Sequence, residues 1–364
     1  MISTSEAVGL YLHIPFCHAK CGYCDFATYV GQENQIGPYL EALKHELSLY
    51  KGNSLQTIFV GGGTPTVLSP SHIENLFHTI GDVFDLSPLT EATIEANPES
   101  STREVLSAYR TAGINRVSFG LQSVNNRFLK ELGRLHTFEG FKKAFLLARE
   151  LGFNNINVDL MFGLPDQTES DWEETLETVL ALGPEHLSTY GLKIEAGTEF
   201  AKRGIKADDD LEAVMYLRVS EKLTHHGYSH YEISNFAKPG FESRHNLLYW
   251  RNAETIGVGL SAASFFRGKR FKNTSHLFPY LEAYKSKRSA VVEETVLDPC
   301  AQRNESMMLG LRLKEGIPEN QIPEPQEPIF KKFLLNELAF VEQGMYRLTP
   351  RGWLLSNQLF QHLI

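Results

Sequence analysis

Three of the four cysteines lie close together in the chain, at Cys17, Cys21 and Cys24, while Cys300 stands apart. In a reducing compartment, such a thiol group is more typical of a metal site than of a disulfide. Three interpretations are open: a structural zinc that recruits His18, a set of free buried cysteines, and an iron–sulfur cluster. The pattern favours a [4Fe–4S] cluster, because three cysteines leave one of its four irons open for an exchangeable ligand.

A glycine-rich segment, Gly61-Gly62-Gly63, directly follows a predicted strand. It lacks the Gly-Lys-Ser/Thr ending of a P-loop, so a nucleoside triphosphate site does not fit. Glycines at this position allow the backbone to approach a ligand closely. We therefore expect this loop to contact a small molecule beside the cysteines.

The elements that position these groups form a regular alternation of short apolar strands and amphipathic helices over the first two hundred residues. Six such units predict a parallel sheet, and six are too few for an eight-fold barrel, so we expect an α/β fold with an open, partial (β/α)6 barrel. The carboxyl ends of the strands meet at one mouth, where working residues of such folds cluster. The predicted strands are Gly9–Ile14, Thr57–Val60, Ala92–Ala96, Arg116–Gly120, Asn155–Met161 and His186–Tyr190.

The motif Cys17-x3-Cys21-x2-Cys24, with Tyr23 before the last cysteine, resembles the radical S-adenosylmethionine (SAM) superfamily. The resemblance implies that the open iron chelates the amino and carboxylate groups of SAM. It also implies that an electron from the cluster cleaves SAM into methionine and a 5′-deoxyadenosyl radical.

Four longer strings resemble the oxygen-independent coproporphyrinogen III oxidase branch of that superfamily, over nearly the whole chain. They are Tyr11–Cys17, Gly61–Thr66, Ile94–Pro98 and Asn157–Pro165. The resemblance implies that Tyr11, Gly62 and Glu95 hold the cluster-bound SAM. Further positions match those lining a second SAM site in the decarboxylating oxidase: Tyr23, Gly63, Thr64, Gln122, Arg134 and Asp159.

Two features distinguish members of this branch. The oxidase has a further cysteine two residues after the third cluster cysteine, where this chain has Phe26. The string from His245 to Trp250 resembles the His-Asn-x-x-Tyr-Trp motif of the haem-chaperone members, the HemW type. That resemblance implies a haem site at His245, Tyr249 and Trp250, with His245 as a candidate axial ligand to the iron. The alternative is that His245 and Trp250 pack the junction after the barrel.

The first hypothesis for function is therefore a haem chaperone on a radical-SAM scaffold, which binds a [4Fe–4S] cluster, SAM and one haem and passes the haem to an acceptor protein. Membrane-bound respiratory haemoproteins are one class of acceptor that the resemblance implies. The second hypothesis is oxidative decarboxylation of coproporphyrinogen III, so the sequence leaves open whether the chain is an enzyme. A third, radical modification of RNA, is disfavoured because the net charge of −9 offers no evident surface for nucleic acid.

The length of 364 residues predicts two or three domains. We expect the partial barrel over 1–205, an extension over 206–298 that completes the side of the barrel and carries the haem motif, and a small α+β, winged-helix-like domain over 299–364. The start Met1–Glu6 has neither a basic nor a long apolar region, and no run of apolar residues could span a bilayer. The expected location is the cytoplasm.

Within the last 160 residues, the alternation of strands and helices is less regular and predicts fewer elements. It predicts helices at Leu211–His226, Ile329–Phe340 and Arg351–Leu363, strands at Ile256–Phe266 and Met345–Leu348, and a proline-rich extended connector from Gly316 to Pro328.

Overall fold

The computed structural model describes residues 7–363. Its strands are β1 (Val8–Ile14), β2 (Phe16–Cys17), β3 (Tyr29–Val30), β4 (Leu55–Gly62), β5 (Glu91–Ala96), β6 (Arg116–Gln122), β7 (Ile156–Phe162), β8 (His186–Gly191), β9 (Ser229–Glu232), β10 (Asn235–Ala237), β11 (Thr255–Val258), β12 (Ala263–Phe266), β13 (Lys269–Asn273), β14 (Val291–Val296), β15 (Ile317–Pro318), β16 (Ala339–Glu342) and β17 (Met345–Leu348).

The helices alternate with the strands in the first half of the chain and become shorter in the second half. They are α1 (Ile36–Ser48), α2 (Pro70–Val83), α3 (Arg103–Thr111), α4 (Asn126–Leu132), α5 (Phe138–Glu150), α6 (Glu169–Leu182), α7 (Glu199–Lys202), α8 (Asp209–His225), α9 (Arg244–Trp250), α10 (Leu277–Lys285), α11 (Pro299–Gly310), α12 (Glu327–Leu335), α13 (Pro350–Leu354) and α14 (Asn357–Phe360).

One large sheet organises the molecule, in the order β14-β13-β12-β11-β1-β4-β5-β6-β7-β8-β10-β9. The strands from β11 to β8 in this order are parallel, with helices connecting most of them. The six strands predicted in the first two hundred residues are present with ends shifted by one or two residues. The α/β fold with a partial barrel is therefore confirmed.

Helix α2 illustrates how the sequence specifies these crossovers. Ser69 caps its amino end by accepting a hydrogen bond from the backbone N–H of His72, and Pro70 occupies the first helical position, where a missing N–H costs nothing. Its apolar residues recur with helical period and are all buried against the sheet: Ile73, Leu76, Phe77 and Ile80.

The segment 206–298 contributes to both edges of the sheet. Strands β9 and β10 extend the edge beyond β8, whereas β11 pairs in parallel with β1 and starts the opposite edge. The predicted single strand Ile256–Phe266 is wrong, because a turn at Gly259–Ala262 divides it into the antiparallel strands β11 and β12. Gly259 has φ +104°, a conformation that favours glycine, which explains the break.

The last part of the chain forms a small sheet in the order β15-β17-β16, flanked by α11 to α14. The predicted helix Ile329–Phe340 ends early, at Leu335, because the chain turns through Glu337 with positive φ and enters β16. The predicted extended connector contains β15 and the start of α12, and the predicted final helix is divided into α13 and α14.

No helix within residues 7–363 is both long and apolar enough to cross a membrane. The residues on which the absence of a secretory signal was inferred, Met1–Glu6, lie outside the described part of the chain.

Candidate functional site

A cavity of about 650 Å³ runs through the inside of the partial barrel. Alternate residues of β6 line it from end to end, namely Arg116, Ser118, Gly120 and Gln122. At about 3.3 Å per residue, Arg116 and Gln122 lie roughly 20 Å apart along the strand. The carboxyl ends of the strands form the mouth of the cavity, and the amino ends form its floor.

The three cysteines lie at this mouth, on the loop that follows β2. Cys17 ends β2, and the rest of the loop is tied to two later elements. The N–H of Gly22 donates to the carbonyl of Leu132 at 3.0 Å, and Phe200 donates its N–H to the carbonyl of Gly22 at 2.9 Å. A Cβ on Gly22 would lie 2.6 Å from the ring of Phe200, so this close packing requires glycine.

The cysteine environment fits a metal centre with thiolate ligands. Cys17 is buried and accepts a hydrogen bond from the hydroxyl of Thr64 at 3.3 Å. Burial raises the pKa of the Cys17 thiol to about 11, so a thiolate here needs a cation beside it. Within residues 7–363, no three His, Cys, Asp or Glu side chains converge on one ion. A [4Fe–4S] cube has no such requirement, because each thiolate binds a different iron.

Arg134 connects the cysteine loop to the neighbouring strands. Its guanidinium donates to the Sγ of Cys21 at 3.7 Å, to the Oδ1 of Asn97 at 2.8 Å and to the carbonyl of Gly120 at 2.7 Å. The amide of Asn97 in turn donates to the hydroxyl of Thr64 at 3.1 Å. This network holds a half-buried positive charge beside the thiols, where it favours the thiolate form.

The glycine loop approaches both the cysteines and a buried carboxylate. A Cβ on Gly63 would lie 2.7 Å from the carbonyl oxygen of Phe16 and 2.9 Å from the Sγ of Cys17. Gly62 has φ +114° and donates its N–H to the Oε2 of Glu95 at 3.0 Å. The free space beside Cys17 therefore depends on the absence of side chains in this loop.

Two acidic side chains face each other across the cavity. Burial raises the pKa of Glu95 to about 7, with a further contribution from the charge of Asp159. Burial also raises the pKa of Asp159, although its carboxylate accepts hydrogen bonds from Asn157 at 2.7 Å and from Ser118 at 3.3 Å. Both groups are suited to bind a cationic ligand group, since an opposite charge would compensate their burial.

Gln122 reaches the mouth through an irregularity in its strand. The pairing of β6 with β7 shifts register between Gly120 and Gln122, and Gln122 has φ +74°. Non-glycine residues rarely adopt this conformation, and where they do, it often serves a functional site. The shift brings the amide of Gln122 to the cavity wall.

Of the two tyrosines predicted at the SAM site, Tyr23 lines the cavity and Tyr11 does not. Tyr23 lines the cavity and packs against Phe200, with ring centroids 6.5 Å apart. The hydroxyl of Tyr11 shares a hydrogen bond with the Nδ1 of His13 at 3.0 Å, and Tyr11 is not among the residues lining the cavity.

Helix α9, which carries the predicted haem motif, covers the floor of the barrel. Its amino end is bound by the first residue of β5: the Glu91 carboxylate accepts the N–H groups of Arg244 at 3.0 Å and His245 at 3.1 Å. A carboxylate is favourable there, because the amino end of a helix carries partial positive charge. Asn246, Tyr249 and Trp250 line the cavity from this helix.

His245 lies behind this wall, fully buried. Its Nδ1 hydrogen-bonds to the hydroxyl of Thr57 at 2.8 Å and its Nε2 to the hydroxyl of Tyr249 at 3.0 Å. Burial lowers the pKa of His245 to about 3, so the imidazole is neutral. Both ring nitrogens of His245 thus have hydrogen-bond partners in this conformation, and its role as an axial ligand to a haem iron stays a prediction.

The structure therefore brings most of the predicted residues to one cavity, including the three cysteines. Sequence reasoning missed Arg116, Glu232 and Arg312, which also line it. Arg116 had a detectable signal, because it lies on the same alternate face of β6 as Gln122. Arg312 had no detectable signal in the sequence, because a contact distant in the chain, an isolated bridge between Glu232 and Leu313, brings its segment to the cavity.

Comparison with known proteins agrees with this arrangement. The sequence profile described as the Radical SAM superfamily matches residues 11–179. The solved structure of coproporphyrinogen III oxidase (HemN) from Escherichia coli aligns with a TM-score of 0.86 at 24% identity, covering 98% of this chain and 90% of that one. At this identity the likeness shows a shared fold.

Two curated relatives match over nearly their full lengths. The heme chaperone HemW of Lactococcus lactis is 36% identical, with 97% of this chain and 96% of the relative covered. The heme chaperone HemW of Bacillus subtilis is 38% identical, with 96% and 97% covered. The chain therefore belongs to the radical SAM superfamily and, within it, to the HemW family.

Proposed function

We propose that this protein is a haem chaperone that holds one haem at the floor of the barrel cavity and passes it to an acceptor protein. The observation that carries the proposal is that Tyr249 and Trp250 of the HemW-like motif line the same cavity as the three cysteines. The names of the relatives support the haem part, since both are called heme chaperones.

The family implies two further cofactors, a [4Fe–4S] cluster and SAM. Cys17, Cys21 and Cys24 would hold the cluster, which supplies an open iron and an electron when bound. Glu95 would accept hydrogen bonds from the amino group of SAM, and Gly62 and Gly63 would leave room for it beside Cys17. Six more residues at the cavity or beside it complete the proposed SAM environment: Tyr11, Tyr23, Thr64, Gln122, Arg134 and Asp159.

At the floor, aromatic side chains would supply the apolar contact that a porphyrin ring needs. Tyr249 and Trp250 face the cavity, while His245 holds the Tyr249 hydroxyl from behind. Ligation of the haem iron by His245 requires either Tyr249 to release Nε2 or Thr57 to release Nδ1. In the conformation described here, His245 is therefore a positioning residue for Tyr249.

The proposal is tested by haem titration of the anaerobically reconstituted protein, followed by mixing with an apo-haemoprotein whose holo form has a distinct Soret band. We expect saturable binding of one haem per chain and its appearance in the acceptor. Trp250→Ala should weaken binding, and Trp353→Ala, which alters a buried tryptophan of the C-terminal segment, is the matched control. Absence of saturable haem binding in the folded wild-type protein would overturn the proposal.

The rival activity is oxidative decarboxylation of coproporphyrinogen III, the reaction of the oxidase whose fold this chain shares. Phe26, at the position of a cysteine in the oxidase, lines the cavity and is 62% exposed. An anaerobic assay with SAM, a reductant and coproporphyrinogen III decides between the two. We expect no protoporphyrinogen IX, and its formation at a catalytic rate would favour the oxidase.

A further inference from the structure

Four buried nitrogen donors of cavity-lining residues have no hydrogen-bond acceptor within residues 7–363. The Nε of Arg134 is at the mouth, whereas the Nε of Arg116, the Nε of Arg312 and the indole Nε1 of Trp250 are at the floor. Buried polar groups nearly always have a partner, because an unmade hydrogen bond costs the full desolvation of the group. The three orphaned donors at the floor indicate an absent acceptor.

Arg116 provides the strongest of these observations. Arg116 is only 2% exposed, and it is the first residue of β6, at the floor of the barrel. Neither Arg116 nor Arg312 takes part in an ion pair within the described chain. The charges of Asp159 and Glu232 act on Arg116 and Arg312 across the cavity, but neither carboxylate is close enough to form an ion pair with them. A buried guanidinium without a directly bonded acceptor is unfavourable, so an anion from outside would complete the site.

Arg312 and Trp250 lie against each other at the cavity wall. The guanidinium carbon of Arg312 is 4.5 Å from the centroid of the Trp250 ring, which keeps the planar group in a fixed orientation. The nearby carboxyl of Glu232 is bonded to the amide of Asn235 instead of Arg312. The donors of Arg312 therefore remain available to a ligand.

We infer that the floor of the cavity is a carboxylate-binding site in which Arg116, Arg312 and the Trp250 N–H bind the propionate groups of the haem. Guanidinium groups match carboxylates in a planar, two-point geometry, which makes them suited to this role. This inference rests on the proposed haem-chaperone function. It adds that the protein recognises the haem by its propionate groups.

The carboxylate of SAM is a second ligand group that could bind to these arginines. Position favours the porphyrin, because the cysteines lie at the mouth of the cavity, whereas Arg116 lies at the floor, roughly 20 Å along β6 from Gln122 at the mouth. A SAM molecule anchored at the cysteines would have its carboxylate at that end.

The experiment varies the ligand first, so that protein folding is not in question. Haem and haem dimethyl ester, which lacks the two negative charges, are titrated separately into the wild-type protein, and binding is followed by the Soret band. We expect the ester to bind at least ten to a hundred times more weakly, because the loss of even one charged hydrogen bond lowers the affinity by one to two decades. Equal affinity would overturn the carboxylate site while leaving haem binding itself established.

Two protein variants then locate the effect. Arg312→Met should reduce haem affinity about tenfold or more and leave ester affinity unchanged, since the ester has no charge to lose. Arg251→Met is the matched control, because Arg251 directly follows Trp250 but is ion-paired to Glu315 and does not line the cavity. Arg312→Met retaining wild-type discrimination between haem and ester would overturn the assignment of Arg312, and a loss of SAM affinity instead of haem affinity would assign the site to SAM.

Failure of the inference and failure of the proposed function have different signatures. If haem does not bind the wild-type protein in saturable fashion, the chaperone proposal falls. If haem binds and the ester binds equally well, only the carboxylate site falls.

Discussion

His245 and Tyr249, one turn apart on α9, are joined side chain to side chain, with Nε2 of the imidazole 3.0 Å from the phenol oxygen. The other ring nitrogen contacts Thr57 of β4, so His245 connects the helix to the barrel wall. The most distinctive residue of the motif is thus part of the floor, and its aromatic neighbours form the surface that a ligand meets.

This arrangement predicts the spectrum of a His245→Ala variant. We expect weaker haem binding, because Tyr249 loses its anchor, but an unchanged Soret position for the haem that does bind. Tyr249→Phe removes the same hydrogen bond from the other side and should weaken binding to a similar degree. A shifted Soret band in His245→Ala alone would show that α9 rearranges and that His245 ligates the iron.

The three clustered cysteines should be individually indispensable for the cluster. Replacing Cys17, Cys21 or Cys24 with alanine should abolish cluster assembly, because two thiolates do not retain the cube. Iron and sulfide content, with the visible absorption of the reconstituted protein, measures this. Cys300→Ala is the control, since Cys300 is exposed and far along the chain, and a cluster lost in that variant would contradict the assignment.

Glu95 should matter for SAM and not for the cluster. We expect Glu95→Ala to weaken SAM binding by roughly one to two decades, the cost of a lost charged hydrogen bond of about 1.5–3 kcal/mol. Calorimetry on the reconstituted protein gives the affinity, and iron content checks the cluster. Glu150→Ala, which alters an exposed carboxylate paired with Arg103 away from the cavity, is the control. Wild-type SAM affinity in Glu95→Ala would remove Glu95 from the site.

The buried Glu232 predicts a pH dependence of stability. Burial raises the pKa of Glu232 to about 7, above its ordinary value of 4.5. The native state then binds more protons than the unfolded state between pH 4.5 and 7, so this group lowers the free energy of unfolding as the pH rises through that range. The difference amounts to about 3 kcal/mol at 1.36 kcal/mol per pH unit.

Chemical denaturation of the wild type and of Glu232→Gln across this pH range measures the effect. The variant should lose less stability than the wild type on going from pH 4.5 to above 7. Identical pH profiles would show that Glu232 titrates normally in the folded protein.

Local patterns were sufficient to predict the parallel core of the fold. The six strands from β1 to β8 of the large sheet each combine an apolar run with a turn, and each helix between them has an apolar face, so period alone identifies them. The pairing of β11 with β1 was not predictable in this way, because it joins residues about 245 positions apart and depends on which edge is free.

The candidate site likewise has a part that local sequence patterns predict and a part that they do not. The mouth was predictable because Cys17, Gly62 and Glu95 each lie at or next to the carboxyl end of a strand. The floor was not predictable, since Glu91, which binds the amino end of α9, and the cavity-lining Arg116 and Arg312 come from three distant segments that only the fold brings to one end of the barrel.

The closure of the floor by α9 has a consequence for the order of events during synthesis. Thr57 and His245, which make one of its contacts, are separated by 188 residues, and ribosomes add about 5–20 residues per second. For roughly 10 to 40 seconds after β4 emerges, the barrel of the nascent chain lacks its floor, and the β1 edge awaits β11. A chain that stalls before residue 243 would expose both an open barrel and an unpaired strand edge, and it would be a target for aggregation or for general folding chaperones.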